Sequence, residues 1–377
     1  MCAPLLRELS VPADWIKVCK IASSLLVSSL RAYRLPSSLA AIENLQSTPT
    51  THKEKIMRVF VTGATGFLGF AIVKELIGSG HKVTGLARSD ASAKKLTDAG
   101  AQVLRGDIED LDILRQGAAA ADGVIHTAFY HEITHMRLGT RLRVLLGGSP
   151  SGIVTRFLAA AIQADKRALE TMGQSLSGAD RPLVATFATI AMTAGRVATE
   201  DNAYDPKSAG AVRGSTENTM RMLASQGVRT SIIRLPPVVH GEGDRNGFIP
   251  FLIKNARKKG ESAYLGEGSN RWPAVHKLDA ARLFRLALES GPPGAAYHGV
   301  AEEGIPFRQI AEAIGKRLDV PVVSKSPADA AKQFGFLSPF IPVDNPTSSK
   351  LTIERLGWGP AQPGLFADLD RAGYFNI

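Results

Sequence analysis

The chain has 377 residues, 44% of them hydrophobic and 21% charged, with a formal net charge of +10. Its only cysteines are Cys2 and Cys19, so the globular part has no disulfide, no thiolate metal site and no cysteine nucleophile. The positive charge would suit nucleic acid or an anionic membrane, but the Lys and Arg are scattered with few aromatics between them, and the expectation is a basic surface that attracts an anionic cofactor, with no nucleic-acid and no membrane partner.

Residues 1–56 differ from the rest. Ile21 to Leu35 is a Ser-rich, Arg-flanked apolar stretch, too short and interrupted to span a bilayer. No small-residue cleavage site follows a long apolar run, which argues against a secretory signal. Arg and Ser suit a transit peptide, whereas Glu8, Asp14 and Glu43 oppose one. The expected location is the cytoplasm, with mitochondrial targeting by residues 1–56 as the alternative. Gln46 to Lys55 reads as polar linker, so residues 1–56 are expected to be a flexible or helical extension, separable from a fold that starts at Met57.

Arg58 to Thr62 then reads as a short buried strand, and Gly63, Gly66 and Gly69 follow at the spacing GxxGxxG. Leu68, Ile72 and Leu76 open an amphipathic helix. Strand, glycine turn and helix N-terminus make a phosphate cradle: Gly63 permits the turn, Gly66 admits a pyrophosphate, and Gly69 lets the helix pack on the strand. The pattern continues with strands at 81–87, 101–104 and 123–128 and helices at 89–98 and from Asp110, a candidate cap, to about Gly117. A helix at about 158–176, a strand at 182–189, a helix at 215–226 and a strand at 230–235 complete the alternation, which implies a parallel, doubly wound sheet. Beyond Pro236 the pattern loosens into helices near 248–259, 278–290 and 306–318 and short strands. The expected organisation is a nucleotide-binding domain over 57–235 and a mixed α/β substrate lobe over 236–377.

The run from Thr62 to Gly69 resembles the short-chain dehydrogenase/reductase superfamily, in its extended and atypical, NAD(P)-dependent epimerase/dehydratase-like branch. The resemblance implies an α/β Rossmann fold with a smaller C-terminal substrate lobe, a monomer or homodimer, and oxidoreductase or epimerase chemistry on a small carbonyl or hydroxyl compound. Its cofactor residues map onto Gly63, Thr65, Gly66, Phe67, Leu68 and Gly69, onto Asp107 and Ile108 beside the adenine, and onto Thr127 and Ala128 after the fourth strand. The segment "IIRLPPVVHGEGD" is similar to one that lines the cleft in relatives, mapping Arg234, Pro236 and Gly241, and "NRWPAVHKLDAARLF" is similar to another, mapping Val275, His276 and Asp279. His240, Trp272 and His276 are thereby candidates for the substrate cleft, with packing in the lobe as the competing role.

At the end of the second strand stands Ala87-Arg88-Ser89, where an NAD enzyme places an acid for the ribose 2′-hydroxyl. A guanidinium and a hydroxyl suit a 2′-phosphate, so NADP(H) is expected over NAD(H). The family's YxxxK is missing. The matching stretch puts Ala209 at the Tyr position and Arg213 at the Lys position, while Tyr204 and Lys207 have the wrong spacing. The fifth strand leaves Thr186 and Thr189 as its hydroxyls, so Arg213, Thr186 and Thr189 are the catalytic candidates. An arginine stays protonated and serves as an electrostatic group rather than a proton donor. The missing Tyr also admits a non-enzymatic NADP-binding sensor as the rival reading.

His131-Glu132-Ile133-Thr134-His135 matches HExxH, but it directly follows a strand and has no third His at a zinc-protease spacing, so no metal is expected and His131 or His135 reads as a cleft residue, with His131 as the named candidate. Residues 137–157, with Arg137, Arg141, Arg143 and Arg156 and no acid, read as an insertion and a surface excursion.

Overall fold

The computed structural model of the protein describes residues 56–371 and 373–376; of the extension expected over residues 1–56, residues 1–55 lie outside the described residues. The first half alternates as β1 (Arg58–Thr62), α1 (Phe67–Gly78), β2 (Lys82–Ala87), α2 (Asp90–Asp98), β3 (Gln102–Arg105), α3 (Leu111–Ala119) and β4 (Gly123–His126), then α4 (Leu138–Leu146), α5 (Ile153–Leu176), β5 (Pro182–Ala188), α6 (Gly214–Ser225) and β6 (Arg229–Leu235). The second half adds β7 (Val238–His240), α7 (Phe248–Lys259), β8 (Ser262–Leu265), β9 (Arg271–His276), α8 (Lys277–Ser290), β10 (Ala295–His298), β11 (Glu302–Pro306), α9 (Phe307–Leu318) and β12 (Val322–Lys325).

Seven strands form one sheet in the order β10-β6-β5-β4-β1-β2-β3. All its pairings are parallel. β1 shows why both faces must be covered. Val59 and Val61 point into one core with Ile72, Leu76, Phe284 and Leu288, while Phe60 points into the other with Leu114, Leu169, Met172 and Met220. A strand buried on both sides reads as a continuous apolar run, as Arg58 to Thr62 does. The order reverses between β1 and β4, and the carboxyl ends of those strands frame the crevice where such folds take ligands. Beyond residue 235 the chain builds a lobe core around Val238, Ile253, Trp272, Phe307 and Ile314. It also returns to the large sheet: β10 pairs with β6, so the seventh strand comes from residues beyond the boundary drawn at 235.

Two local expectations differ from what forms. α5 begins at Ile153 rather than near 158, and the surface excursion read over 137–157 includes a helix at 138–146. Asp110 sits at the start of α3 but makes no side-chain cap, because its carboxylate accepts from the Asp107 amide and pairs with Arg137.

A buried ion pair ties β6 to α6. Arg234 and Glu217 are both fully buried, with Nη2 to Oε1 at 2.9 Å and Nε to Oε2 at 3.3 Å. Arg221 also donates to Glu217, at 2.6 Å, and Arg234 Nη1 meets the Glu200 carbonyl and His298 Nε2. Burial first, and the Arg234 charge second, push the His298 imidazole down to about 3. Its Nδ1 lies 2.7 Å from the Ser348 carbonyl and must carry the proton, leaving Nε2 to accept from Arg234.

Arg234→Met should cost about 3 kcal/mol, the low end for breaking a buried pair, since Arg221 still partners Glu217; denaturant unfolding reads this directly. His298 binds a proton in the unfolded chain near its ordinary 6.5 but only near 3 when folded, so its stabilising share is complete above 6.5 and is lost as pH falls through that window. Unfolding midpoints of wild type and His298→Gln at pH 7 and pH 5 should differ by less at pH 5.

Candidate functional site

The cradle after β1 is built from backbone. Gly63 has φ of +70°, and a Cβ there would lie 2.6 Å from Thr127 Oγ1 and 2.7 Å from the Ala128 nitrogen. At Gly69 a Cβ would come within 2.0 Å of the Gly63 carbonyl oxygen. These contacts bring Thr127 and Ala128 against the glycine turn. Thr127 is anchored there by its hydroxyl, which donates to the Thr62 carbonyl at 2.9 Å. α1 starts from Gly66 with no side-chain cap, so its first amides face outward with the positive end of the helix dipole. Lys95 donates to the Thr65 carbonyl at 2.9 Å, and its Nζ lies 4.1 Å from the Phe70 ring centre. Partial burial first, then the charges of Lys74 and Lys277, lower its ammonium. Lys277 in turn stands 5.1 Å over the Phe67 ring. Cations therefore surround the turn, a signal that their spread through the sequence concealed.

At the end expected to take adenosine, Asp107 and buried Ile108 follow β3. Asp107 Oδ2 lies 3.5 Å from Arg137, which also pairs with Asp110, and Thr140 donates to Glu109 at 3.1 Å. Arg88 is exposed and donates to the His135 carbonyl at 2.8 Å. Ser89 caps α2 by accepting from Ser92. The loop after β4 is thus tied down to the groups expected around adenine and ribose.

The central group lies beneath the crevice. Thr62 Oγ1 is 2.7 Å from His126 Nδ1, and His126 Nε2 is 3.1 Å from Asp165 Oδ1. Thr216 donates to Asp165 Oδ2 at 2.5 Å, and Arg213 Nη2 stands 3.7 Å from Oδ1. Burial would lift the Asp165 carboxyl, but the His126 hydrogen bond, the Arg213 charge and the Thr216 hydroxyl outweigh it and hold the group below the usual carboxylate range. An ionised Asp165 requires the proton on His126 Nε2, so Nδ1 accepts from Thr62.

Arg213 lies at the end of a short turn before α6, with its guanidinium 4.2 Å over the Phe129 ring and 3.4 Å from the Thr186 carbonyl. Arg213 Nε and Thr186 Oγ1 are both buried without a hydrogen-bond partner. His131 packs edge-on to Phe129, with ring centres 5.7 Å apart. Its surface is exposed, but protein atoms crowd the ring from one side. That crowding first, and then the Arg213 and His135 charges, lower its imidazole. The structure therefore gathers Arg213 and His131 around Phe129, with the Thr186 carbonyl against the guanidinium.

Other candidates sit elsewhere. Thr189 is fully buried and donates to Asn345 at 2.7 Å, with Asn345 donating back to its carbonyl at 2.9 Å. Trp272 is a core residue of the lobe, between Phe248 and Phe307. His240 is buried, 2.9 Å from Asp368, and meets the His276 ring at 5.4 Å. His276 caps α8 by accepting from the Leu278 amide. Pro236 is buried directly after β6. The Tyr204 hydroxyl accepts from Asn218, and its ring packs on Phe187 and against Gly214, the residue after Arg213. The HExxH run forms no helix: Ile133–His135 is one tight turn, and both imidazoles are exposed. Asp165 and Phe129 were absent from the candidates read in sequence. Asp165 had a signal, an acid on the buried face of α5 among Ala161, Ala164 and Ala168.

The family model for the NAD dependent epimerase/dehydratase family matches residues 59–137 and 214–298. An uncharacterized protein of Schizosaccharomyces pombe is 47% identical over 324 residues, covering 85% of this chain and 100% of that one. The Dictyostelium discoideum sterol-4-alpha-carboxylate 3-dehydrogenase, decarboxylating, is 29% identical over 264 residues, covering 67% of this chain and 73% of its own. Among solved structures, a double mutant of DesIV, the dTDP-glucose 4,6-dehydratase of Streptomyces venezuelae with NAD and DAU bound, matches with a TM-score of 0.65 at 19% identity, over 85% of this chain and 97% of that one. At that identity the likeness is one of fold.

Gly69→Ala should weaken NAD(P)H binding, because the added methyl must displace the Gly63 carbonyl of the turn. Overpacking of about 1–3 kcal/mol corresponds to a roughly five- to hundredfold rise in Kd, measurable by titration of nicotinamide fluorescence.

Proposed function

The chain belongs to the NAD dependent epimerase/dehydratase family, and from that footing we propose that it is an NAD(P)-dependent oxidoreductase or epimerase-like enzyme acting on a small carbonyl or hydroxyl compound, with NADP(H) preferred. The observation that carries this reading is Arg213, whose Nε is buried without a hydrogen-bond partner while its Nη2 reaches the Thr186 carbonyl at the carboxyl end of β5; the Thr186 hydroxyl is buried and unpartnered as well. Buried polar groups in a native protein have partners, and an orphaned guanidinium nitrogen beside the crevice points to a polar ligand atom.

The cradle fits a dinucleotide: it has room only for backbone at Gly63 and Gly69, and an uncapped helix start. Gly63, Thr65, Gly66, Phe67, Leu68 and Gly69 would hold the pyrophosphate, Asp107 and Ile108 the adenine, and Thr127, Ala128 and Pro236 the nicotinamide half. When bound, the cofactor supplies or accepts a hydride. Every other task falls to the chain. Arg213, held by Asp165 and Phe129, places fixed positive charge where a substrate oxygen becomes negative. It does not give up a proton. Thr186 and His131 are the groups beside it that handle one. A lowered imidazole is neutral at pH 7, so His131 accepts a proton in alcohol oxidation. Arg88, with no acid beside it on β2, supplies the preference for a 2′-phosphate.

The second reading, an NADP-binding sensor without turnover, draws on Ala209, which stands where the family's Tyr would be. Incubation with NADPH and a panel of ketones and aldehydes separates the two: turnover supports the enzyme, while tight NADPH binding with no turnover across the panel supports the sensor.

In the enzyme, Arg213→Ala should lower kcat by about 10²–10³, the loss of one oxyanion donor, and Arg213→Lys should restore part of it. Arg88→Asp should weaken NADPH at least tenfold relative to NADH, the size of one charge-assisted bond of about 1.5–3 kcal/mol. An unchanged ratio by calorimetry would remove Arg88 from cofactor choice. For alcohol oxidation, the rate should rise with pH through an apparent pKa below 6.5, and His131→Gln should abolish that limb.

A further inference from the structure

α4 carries its amphipathicity inside out. Its inner side is fastened: Val144 is buried, Thr140 donates to Glu109, Arg137 pairs with Asp107 and Asp110, and Arg156 donates to the Val144 carbonyl at 2.8 Å. Its outer side carries Leu138, Leu142, Leu145 and Leu146, spaced at i, i+4, i+7 and i+8 and therefore on one stripe. These leucines are between 41% and 77% exposed, and Val154 at the start of α5 is 67% exposed. Twelve large apolar side chains are exposed among the described residues, and five of them fall in residues 138–154. A surface helix ordinarily turns such a stripe toward the core, and a concentrated exposed patch marks an interaction surface.

Charge selects the occupant. Residues 133–164 contain no acid, and Arg141 and Arg143 flank the leucine stripe, one on each side by helical spacing. A second copy docking the same face by a twofold axis would set arginine against arginine, which opposes that pairing. Leucine in the middle with arginine at the borders is the pattern of a helix lying in the headgroup region of a bilayer that bears negative lipids. We propose that the outer face of residues 138–154 docks on an anionic membrane surface, with the leucines entering the interface and Arg141 and Arg143 meeting lipid phosphates or carboxylates. This goes beyond the oxidoreductase reading and does not rest on it. It also revises the expectation, drawn from scattered charge, that the protein has no membrane partner.

The test is cosedimentation of the full chain with vesicles of phosphatidylcholine alone or with phosphatidylserine mixed in. Wild type should bind the phosphatidylserine vesicles in preference, and less as salt rises. Leu142→Glu/Leu146→Glu should lose binding. Arg141→Ala/Arg143→Ala should bind roughly ten- to thirtyfold more weakly, as for two cations near an anionic surface. All four side chains lie outside the core, so both variants should keep the wild-type melting temperature. Equal vesicle binding by wild type and both variants would place the contact elsewhere in the chain and overturn the proposal. No binding by wild type would overturn it too. A dimer by light scattering that Leu142→Glu/Leu146→Glu dissolves would overturn it in favour of a second copy.

Discussion

The carboxylate of Asp165 is the group on which the crevice depends. It is buried in the middle of α5, and an isolated charge in that position would be driven to neutrality. It stays ionised because β4 brings His126, α6 brings Thr216, and the turn before α6 brings Arg213. Through His126 it also reaches Thr62 at the end of β1. One anion therefore fixes the relative heights of two strands and two helices. A network of this kind is high-stakes: satisfied, it locks one arrangement, and each missing member leaves another polar group stranded. It also explains what holds Arg213 in place. The guanidinium is pinned from below by charge and from one side by the Phe129 ring, so little of its freedom is left to lose when it meets an oxyanion.

The Arg234–Glu217 pair performs a parallel task on the far side of α6. It joins that helix to β6 from within the protein, and the neutral His298 ring accepts from the same guanidinium. The helix that follows the site's cation is thus tied at two buried acids: its Thr216 and the adjoining Arg213 meet Asp165 of α5, and its own Glu217 meets Arg234 of β6. Such pairs contribute less to net stability than to uniqueness of position, because desolvation offsets most of their attraction.

Much of the architecture was legible in the sequence because it rests on local rules. The continuous apolar run of β1, glycines at fixed spacing and the alternation of strands with helices each carry their own signature, and they produce the sheet. The glycine turn was legible for the same reason. The partners of Arg213 were not. Asp165 is 48 residues away and Phe129 is 84 residues away along the chain, and only the assembled sheet brings them together. Thr189 looked equivalent to Thr186 on the same strand end, but β5 stops at Ala188, and Thr189 opens the tight turn that follows, where its hydroxyl meets Asn345 instead. Trp272 and His240 stand in segments similar to cleft-lining ones and are nevertheless taken up by the lobe's own packing. α4 escaped notice because its apolar stripe faces away from the core, which defeats any reading that assigns leucines to the interior.

The strand order has a consequence for how the protein is made. β10 is the seventh strand of the cofactor-side sheet, yet its residues, 295–298, follow β7, β8 and β9 of the lobe. As the chain leaves the ribosome, β6 emerges with one side unpaired and stays a bare edge until some sixty further residues have been added, several seconds at ordinary synthesis rates of about 5–20 residues per second. An open parallel edge invites pairing with a neighbouring chain. The growing polypeptide must pass through that interval with its crevice already framed by β1 and β4 and its sheet not yet closed off.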